Sequence, residues 1–237
     1  MWHCTYSEEG IEVHSNGTLK GRYLSIQDPY CRKCACPNVT TDACSWHWRS
    51  YGFERVYAMG AYYPSHGSPT TIGWNDFLSK HIRGLKSYLG YAMPLGLGLS
   101  LCIQERFKEL QEMDIIIPVP KFLTELKVDR NNPGITYNQA TELSKLISKL
   151  TSIKYLEALR KTRAQGMKHL SWEEKWKVVE GLYEVTDTKA VDSSRIILVD
   201  DVYTSGATVS ECSAILIQAG ARIVNVLVAG RDVGNGD

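Results

Sequence analysis

The stretch Arg195-Ile-Ile-Leu-Val-Asp-Asp-Val-Tyr-Thr-Ser-Gly-Ala-Thr208 constrains this chain more than any other. An apolar strand runs into two adjacent carboxylates, then into small hydroxyl residues around a glycine. A helix over about 207–219 and a strand over about 222–229 follow. Strand, loop, helix and strand in that order call for a parallel sheet covered by helices. In such sheets ligands bind beyond the carboxyl ends of the strands, where Asp200 and Asp201 stand. The loop Val202, Tyr203, Thr204, Ser205, Gly206, Ala207, Thr208 then forms an anion cradle: Gly206 lets the backbone approach a ligand and the helix start offers free N–H groups. Two carboxylates repel a phosphate but accept hydrogen bonds from hydroxyls attached to it. A ribose 5-phosphate meets both demands, with hydroxyl donors from Thr204, Ser205 and Thr208. Each feature alone is an ordinary strand end or turn; their combination in one order is what carries the reading.

The remaining chain supports the same class. Residues 54–63 and 113–120 read as strands. Helical spacing runs from about Trp74, from about Met93 to Glu112, and along Ala140, Leu143, Ile147 and Leu150. Residues 121–136 read as polar loop, and a short helix carries Trp172 and Trp176. The expected fold class is α/β, a mostly parallel sheet with helices on both faces. Ahead of it, residues 11–26 suggest two strands joined at Asn16-Gly17, a dipeptide suited to a tight hairpin. The expected division is 1–52 as a small zinc-binding β module and 53–237 as the α/β domain.

Charge excludes some functions. Lys and Arg total 27 against 26 Asp and Glu, so no global basic surface points to nucleic acid. No apolar run spans a bilayer, and the N-terminus lacks the basic and apolar regions of an export signal, so a cytoplasmic location is expected. Five of the seven cysteines fall within the first 44 residues, an odd-numbered set that suits metal better than disulfides. Cys31-x2-Cys34 and Cys44-x2-His47, nine residues apart, form two knuckles able to converge on one tetrahedral, structural zinc. Cys36 is the alternative to His47 as fourth ligand. Cys102 and Cys212 lie in apolar helical patterns and read as core. Trp46, Trp48, Tyr62 and Tyr63 read as core beside the knuckles.

Ile196 to Thr208 resembles the phosphoribosyl pyrophosphate (PRPP) signature of type I phosphoribosyltransferases. With Ile115-Ile-Ile-Pro-Val-Pro120, Tyr137-Asn-Gln-Ala140 and Leu159-Arg-Lys-Thr-Arg-Ala-Gln165, the chain resembles the ComF family over about residues 28–232. That family joins a zinc module to a phosphoribosyltransferase domain and is linked to DNA uptake. The resemblance implies PRPP and Mg2+ as donor and cofactor, and transfer of ribose 5-phosphate to an acceptor, a nucleobase among the candidates, with release of pyrophosphate. It implies Val119, Pro120, Lys121 and Arg130 as pyrophosphate-binding, although inserted residues 131–136 depart from the family beside Arg130. Asp200, Asp201, Arg160 and Arg163 become the catalytic candidates. Residues 160–170, with Gln165, resemble a flexible hood, in which Lys168 and His169 are equally readable as solvated; Lys86 is a further cationic candidate. A PRPP or nucleotide sensor with little transferase activity, and a factor processing single-stranded DNA, are the competing readings. Homo-oligomerisation stays open.

Overall fold

The computed structural model describes residues 1–44, 52–64, 76–167 and 170–233, the Trp172 side chain excepted. His47, Trp46, Trp48, Lys168 and His169 lie outside the described residues.

The chain starts with an antiparallel meander: β1 (Trp2–Ser7), β2 (Gly10–Ser15) and β3 (Thr18–Leu24). Asn16 and Gly17 turn β2 into β3 with φ of 51° and 76°, the paired positive angles for which Asn-Gly is suited. β1 was not expected from sequence. Only Cys4 of its six residues is buried, so it lacks the apolar alternation that marks a strand and is held by pairing along the β2 edge.

Five strands form the central sheet: β4 (Val56–Tyr62), β5 (Ile115–Pro118), β8 (Lys154–Tyr155), β11 (Arg195–Tyr203) and β12 (Ile223–Asp232). Their order is β4-β12-β11-β5-β8, and every pair is parallel. The two-residue period of a strand divides their side chains between two cores. Ile196, Leu198, Val226 and Val228 face one side, packed with Cys31, Cys34, Cys44, Val209 and Leu216. Ile197, Val199, Leu227 and Ala229 face the other, packed with Ile11, Val13, Tyr23, Ile82, Leu95, Leu143 and Ile147. The meander and the cysteine segment therefore cover opposite faces of one sheet.

On the meander's side lie α1 (Phe77–Leu85), capped by the Asp76 carboxylate, then α2 (Ala92–Leu101) and α3 (Gln139–Thr151). The helical region expected up to Glu112 breaks after Leu101 into a wide turn over Cys102–Arg106 and a tight one over Lys108–Glu112. The break lets the Arg106 guanidinium donate to the carbonyls of Ile26 (2.8 Å) and Met59 (3.3 Å). The polar segment read as loop holds a hairpin, β6 (Lys127–Asp129) and β7 (Asn132–Tyr137), mostly exposed and so without an apolar signal.

β9 (Leu159–Lys161) pairs antiparallel with β10 (Tyr183–Val185), and α4 (Trp172–Val179), opened by a Ser171–Glu174 capping box, lies between them in sequence. A single turn, α5 (Thr188–Val191), precedes β11, and α6 (Ala207–Gln218) links β11 to β12. Cys102 and Cys212 are buried as expected, as is Tyr62; Tyr63 is half-buried. No helix among the described residues is long and apolar enough to cross a membrane.

Candidate functional site

At the carboxyl end of β11 the apolar run gives way to Asp200, which is buried, and Asp201, which is half-buried. In the free protein each carboxylate supports the turn after it: Asp200 Oδ1 accepts from the Asp201 N–H (2.8 Å) and Asp201 Oδ1 from the Val202 N–H (3.0 Å). Burial, reinforced by the neighbouring Asp201 charge, pushes the Asp200 carboxyl up to about 7, and Lys121 opposes that rise. Burial in turn works against the Lys121 ammonium, but Asp200, Asp201 and Glu125 outweigh it and hold the amine above its ordinary value. Lys121 is thus electrostatically joined to the acid pair across the β5–β11 boundary.

The loop that follows is a cradle. Gly206 adopts φ 83°, the left-handed conformation, and opens α6 without a side-chain cap. The Ala207 N–H reaches Ser205 Oγ at 3.4 Å, and Thr208 hydrogen-bonds the buried Tyr183 hydroxyl. Val202, Ser205 and Thr208 are partly accessible, Thr204 is exposed, and Tyr203, Gly206 and Ala207 are buried.

Facing it, Val119 donates its N–H to the Val199 carbonyl (2.9 Å) and accepts at its own carbonyl from Asn138 Nδ2 (2.8 Å). Asn138 Oδ1 meanwhile caps α3 through the Ala140 N–H (3.2 Å), so one side chain joins the Val119-Pro120-Lys121 loop to a helix start. Arg130 stands apart, exposed in the β6–β7 turn, with its backbone bonded to Ser87 and its guanidinium 5.9 Å from the Tyr88 ring.

The hood candidates divide. Arg160 is exposed and ion-paired with Glu184, and Arg163 is exposed. Between them Lys161, its side chain 4% exposed, donates to both Glu125 oxygens (2.6 and 2.7 Å), while the Gln165 N–H reaches Glu125 Oε1 (3.0 Å). That partly buried pair fastens the start of the hood beside the pyrophosphate-loop candidates. Sequence reasoning passed over Lys161, though alternation along Leu159-Arg-Lys161 places it inward, where a cation requires a partner. Lys86 is exposed at the end of α1, 5.7 Å from the Tyr62 ring.

On the sheet's other face Cys31, Cys34 and Cys44 bring their sulfurs within 4.8 Å of one another, all buried. Cys34 and Cys44 Sγ are 3.7 Å apart, close to the roughly 3.8 Å expected for two sulfurs on a tetrahedral zinc at about 2.3 Å each. Backbone bonds from Cys31 N–H to Cys36 O and from Ala35 N–H to Cys31 O, both 2.9 Å, shape the knuckle. Cys36 is not part of the converging group among the described residues. Burial pushes the Cys34 thiol up, a cost that a bound cation offsets by favouring thiolate. The three sulfurs suit a metal. A separate polar cleft of about 300 Å³ lies beside Arg55, just ahead of β4, but Arg55 and Arg32 there already pair with Glu109 and Asp28.

No protein-family model matches the chain. It is 24% identical over 236 residues to Competence protein F of Haemophilus influenzae, with 94% of each chain covered. Among solved structures it is similar to a glutamine PRPP amidotransferase from B. subtilis at 17% identity and TM-score 0.38, over 92% of this chain and 35% of that one. It spans about a third of that enzyme's length. A purine phosphoribosyltransferase from Pyrococcus horikoshii matches at 14% identity and TM-score 0.33, over 56% of this chain and 82% of that one. The likeness to the competence protein covers 94% of each chain, and the structure presents a five-stranded parallel sheet with a cluster of three cysteines against one face.

Proposed function

We infer that the chain binds PRPP at the end of β11 and transfers its ribose 5-phosphate to an acceptor, releasing pyrophosphate. One observation carries the reading: the acid pair, Asp200 buried and Asp201 half-buried, leads directly into a left-handed glycine and an open helix start, with Lys121 near enough for both acids to raise its amine. Asp200 and Asp201 would take the ribose 2- and 3-hydroxyls. The Thr204–Thr208 turn and the first N–H groups of α6 would take the 5-phosphate. Lys121, with the backbone of Val119 and Pro120, lies where pyrophosphate would separate.

In the transfer, the bond from C1 to the pyrophosphate oxygen breaks, and its electron pair leaves with pyrophosphate. A new bond forms from C1 to the acceptor, which gives up a proton. Positive charge grows on the ribose ring as these bonds exchange, and the acid pair is placed to offset it. Oxygen ligands from PRPP and the acid pair suit Mg2+, which when bound would neutralise the pyrophosphate. Pinning of Gln165 to Glu125 gives the hood a fixed point from which the segment carrying Arg163 could close and exclude water, with Arg160 flanking it on β9. The cysteine cluster would hold a structural zinc, with His47 or Cys36 completing it.

The double variant Asp200→Ala, Asp201→Ala should abolish PRPP binding in calorimetry, and retained binding would overturn the assignment. Pyrophosphate release screened against nucleobases and other acceptors reads the transfer itself. Binding without release would favour the sensor reading. The end-to-end likeness to a competence protein supports a second reading, a role on single-stranded DNA, which steeply salt-dependent strand binding would reveal.

A further inference from the structure

The two loops that face each other at the site are held in different ways. The cradle is fastened from the sheet: buried Arg231 of β12 donates through Nη1 to the carbonyls of Tyr203 (3.1 Å) and Thr204 (2.9 Å). The segment after Val119 leaves the sheet, makes one tight turn at Leu123–Glu125 and regains strand pairing only at Lys127. Leu123 and Thr124 are exposed, and none of residues 120–126 belongs to either core among the described residues. A turn without apolar packing keeps one conformation only where polar contacts fix it.

Those contacts meet at one carboxylate. Glu125 Oε2 accepts from the Phe122 N–H (3.1 Å), closing the turn on itself, and Oε1 accepts from the Gln165 N–H (3.0 Å). Both oxygens also accept from Lys161 Nζ (2.6 and 2.7 Å), which reaches the Gln165 carbonyl at 3.3 Å. Among the described residues, every hydrogen bond from 120–126 to another element runs through this side chain. Lys161 is itself anchored. It stands opposite Tyr183 in the β9–β10 pair, the Thr162 N–H donates to the Leu182 carbonyl (2.9 Å), and the Gly181 N–H donates to Glu211 Oε1 on α6 (2.9 Å). The turn is therefore clamped to a ribbon that rests on the helix opening the cradle. The Glu125 charge also helps to hold the Lys121 amine above its ordinary value.

We propose that Glu125 is a positioning residue for pyrophosphate: clamped to Lys161, it fixes the 121–125 turn, and Lys121 with it, at a set distance from the 5-phosphate cradle. The consequence is selective. With the clamp cut, the cradle keeps its support from Arg231 while the pyrophosphate end loses its shape, so a ligand that spans both sites loses the gain from the second. For its ligand the inference rests on the PRPP reading above; the clamp itself does not require PRPP.

The test uses the full chain in Mg2+ with two variants, Glu125→Gln, which cuts the ion pair at nearly constant shape, and Glu125→Gln combined with Lys161→Met. Calorimetry with PRPP, ribose 5-phosphate and pyrophosphate reads the two ends separately, amide hydrogen exchange at Phe122 and Gln165 reads the clamp, and melting curves read stability. Glu125→Gln should weaken PRPP and pyrophosphate tenfold or more, leave ribose 5-phosphate within twofold, and speed exchange at both amides at least tenfold. It also strands the Lys161 cation and should melt below the parent. Adding Lys161→Met removes that charge and should recover most of the melting temperature while PRPP stays weak; this double variant carries the comparison if Glu125→Gln does not fold. Equal losses for PRPP and ribose 5-phosphate, unchanged exchange at both amides, or a PRPP affinity that returns with the melting temperature would overturn the positioning role. A parent that binds none of the three ligands would instead reject the PRPP reading, while exchange still decides the clamp.

Discussion

Asp200 and His81 are buried titratable groups whose contributions to stability run in opposite directions with pH. Asp200 is raised to about 7, so between its unfolded value near 4 and 7 the folded chain holds the extra proton; the group's contribution falls as pH rises through that window. His81 contacts the Tyr23 hydroxyl through Nδ1 (2.5 Å) and is lowered by burial to about 4, so between 4 and 6.5 it is the unfolded chain that holds the extra proton. Its contribution therefore falls as pH drops. At full expression the shifts correspond to about 4 kcal/mol for Asp200 and about 3 kcal/mol for His81, or about 6–16 °C in Tm for a chain of this size. Relative to the parent, Asp200→Asn should gain thermal stability as pH rises from 4 to 8. His81→Gln should compare best with the parent at pH 4 and lose ground toward pH 7. Melting curves across this range check both, and parallel curves for parent and variant would remove the assignment of either burial.

The β11–α6 element was legible because each of its parts has its own local signature: an apolar run, adjacent acids and a glycine needed for positive φ. The expected helix limits of 207–219 compare with α6 at Ala207–Gln218, and the strand expected to run into its acids, β11 at Arg195–Tyr203, continues through them because β12 pairs with it that far. Arg231 and the Lys161–Glu125 pair were not legible, since each gains meaning only from partners 27 or more residues away. β1 and the β6–β7 hairpin escaped for a different reason: both are held by backbone pairing with little buried surface. Gly206 provides the test at this level. Gly206→Ala should cost about 1 kcal/mol through its left-handed φ and weaken PRPP binding at least tenfold by displacing the α6 start. Gly181→Ala, at φ 66° with open space around it, imposes comparable strain and should leave PRPP affinity within twofold.

At the scale of the whole molecule, the N-terminal meander is structural rather than an appendage. Tyr23, Ile11 and Val13 are fully buried in the same core as Leu95, Leu99 and Ile197, and a side chain at Gly98 would collide with the Met59 sulfur at 2.7 Å. Deleting residues 1–24 should expose this apolar face and yield aggregated protein, detectable by light scattering, whereas a soluble monomer with parent-like melting would show the meander to be dispensable. The strand order β4-β12-β11-β5-β8 has one more consequence, for synthesis. β12 is the last of the five strands to be made, yet it fills the place between β4 and β11. A nascent chain that has not reached residue 223 already carries the acids and the cysteines, but β4 has no neighbour on which to dock. The sheet closes around a gap of long sequence separation, which slows folding. The same late strand delivers Arg231, which holds the Tyr203 and Thr204 carbonyls, so the cradle is assembled only once residue 231 has been made, and ribosome-bound chains that lack β12 should bind no PRPP.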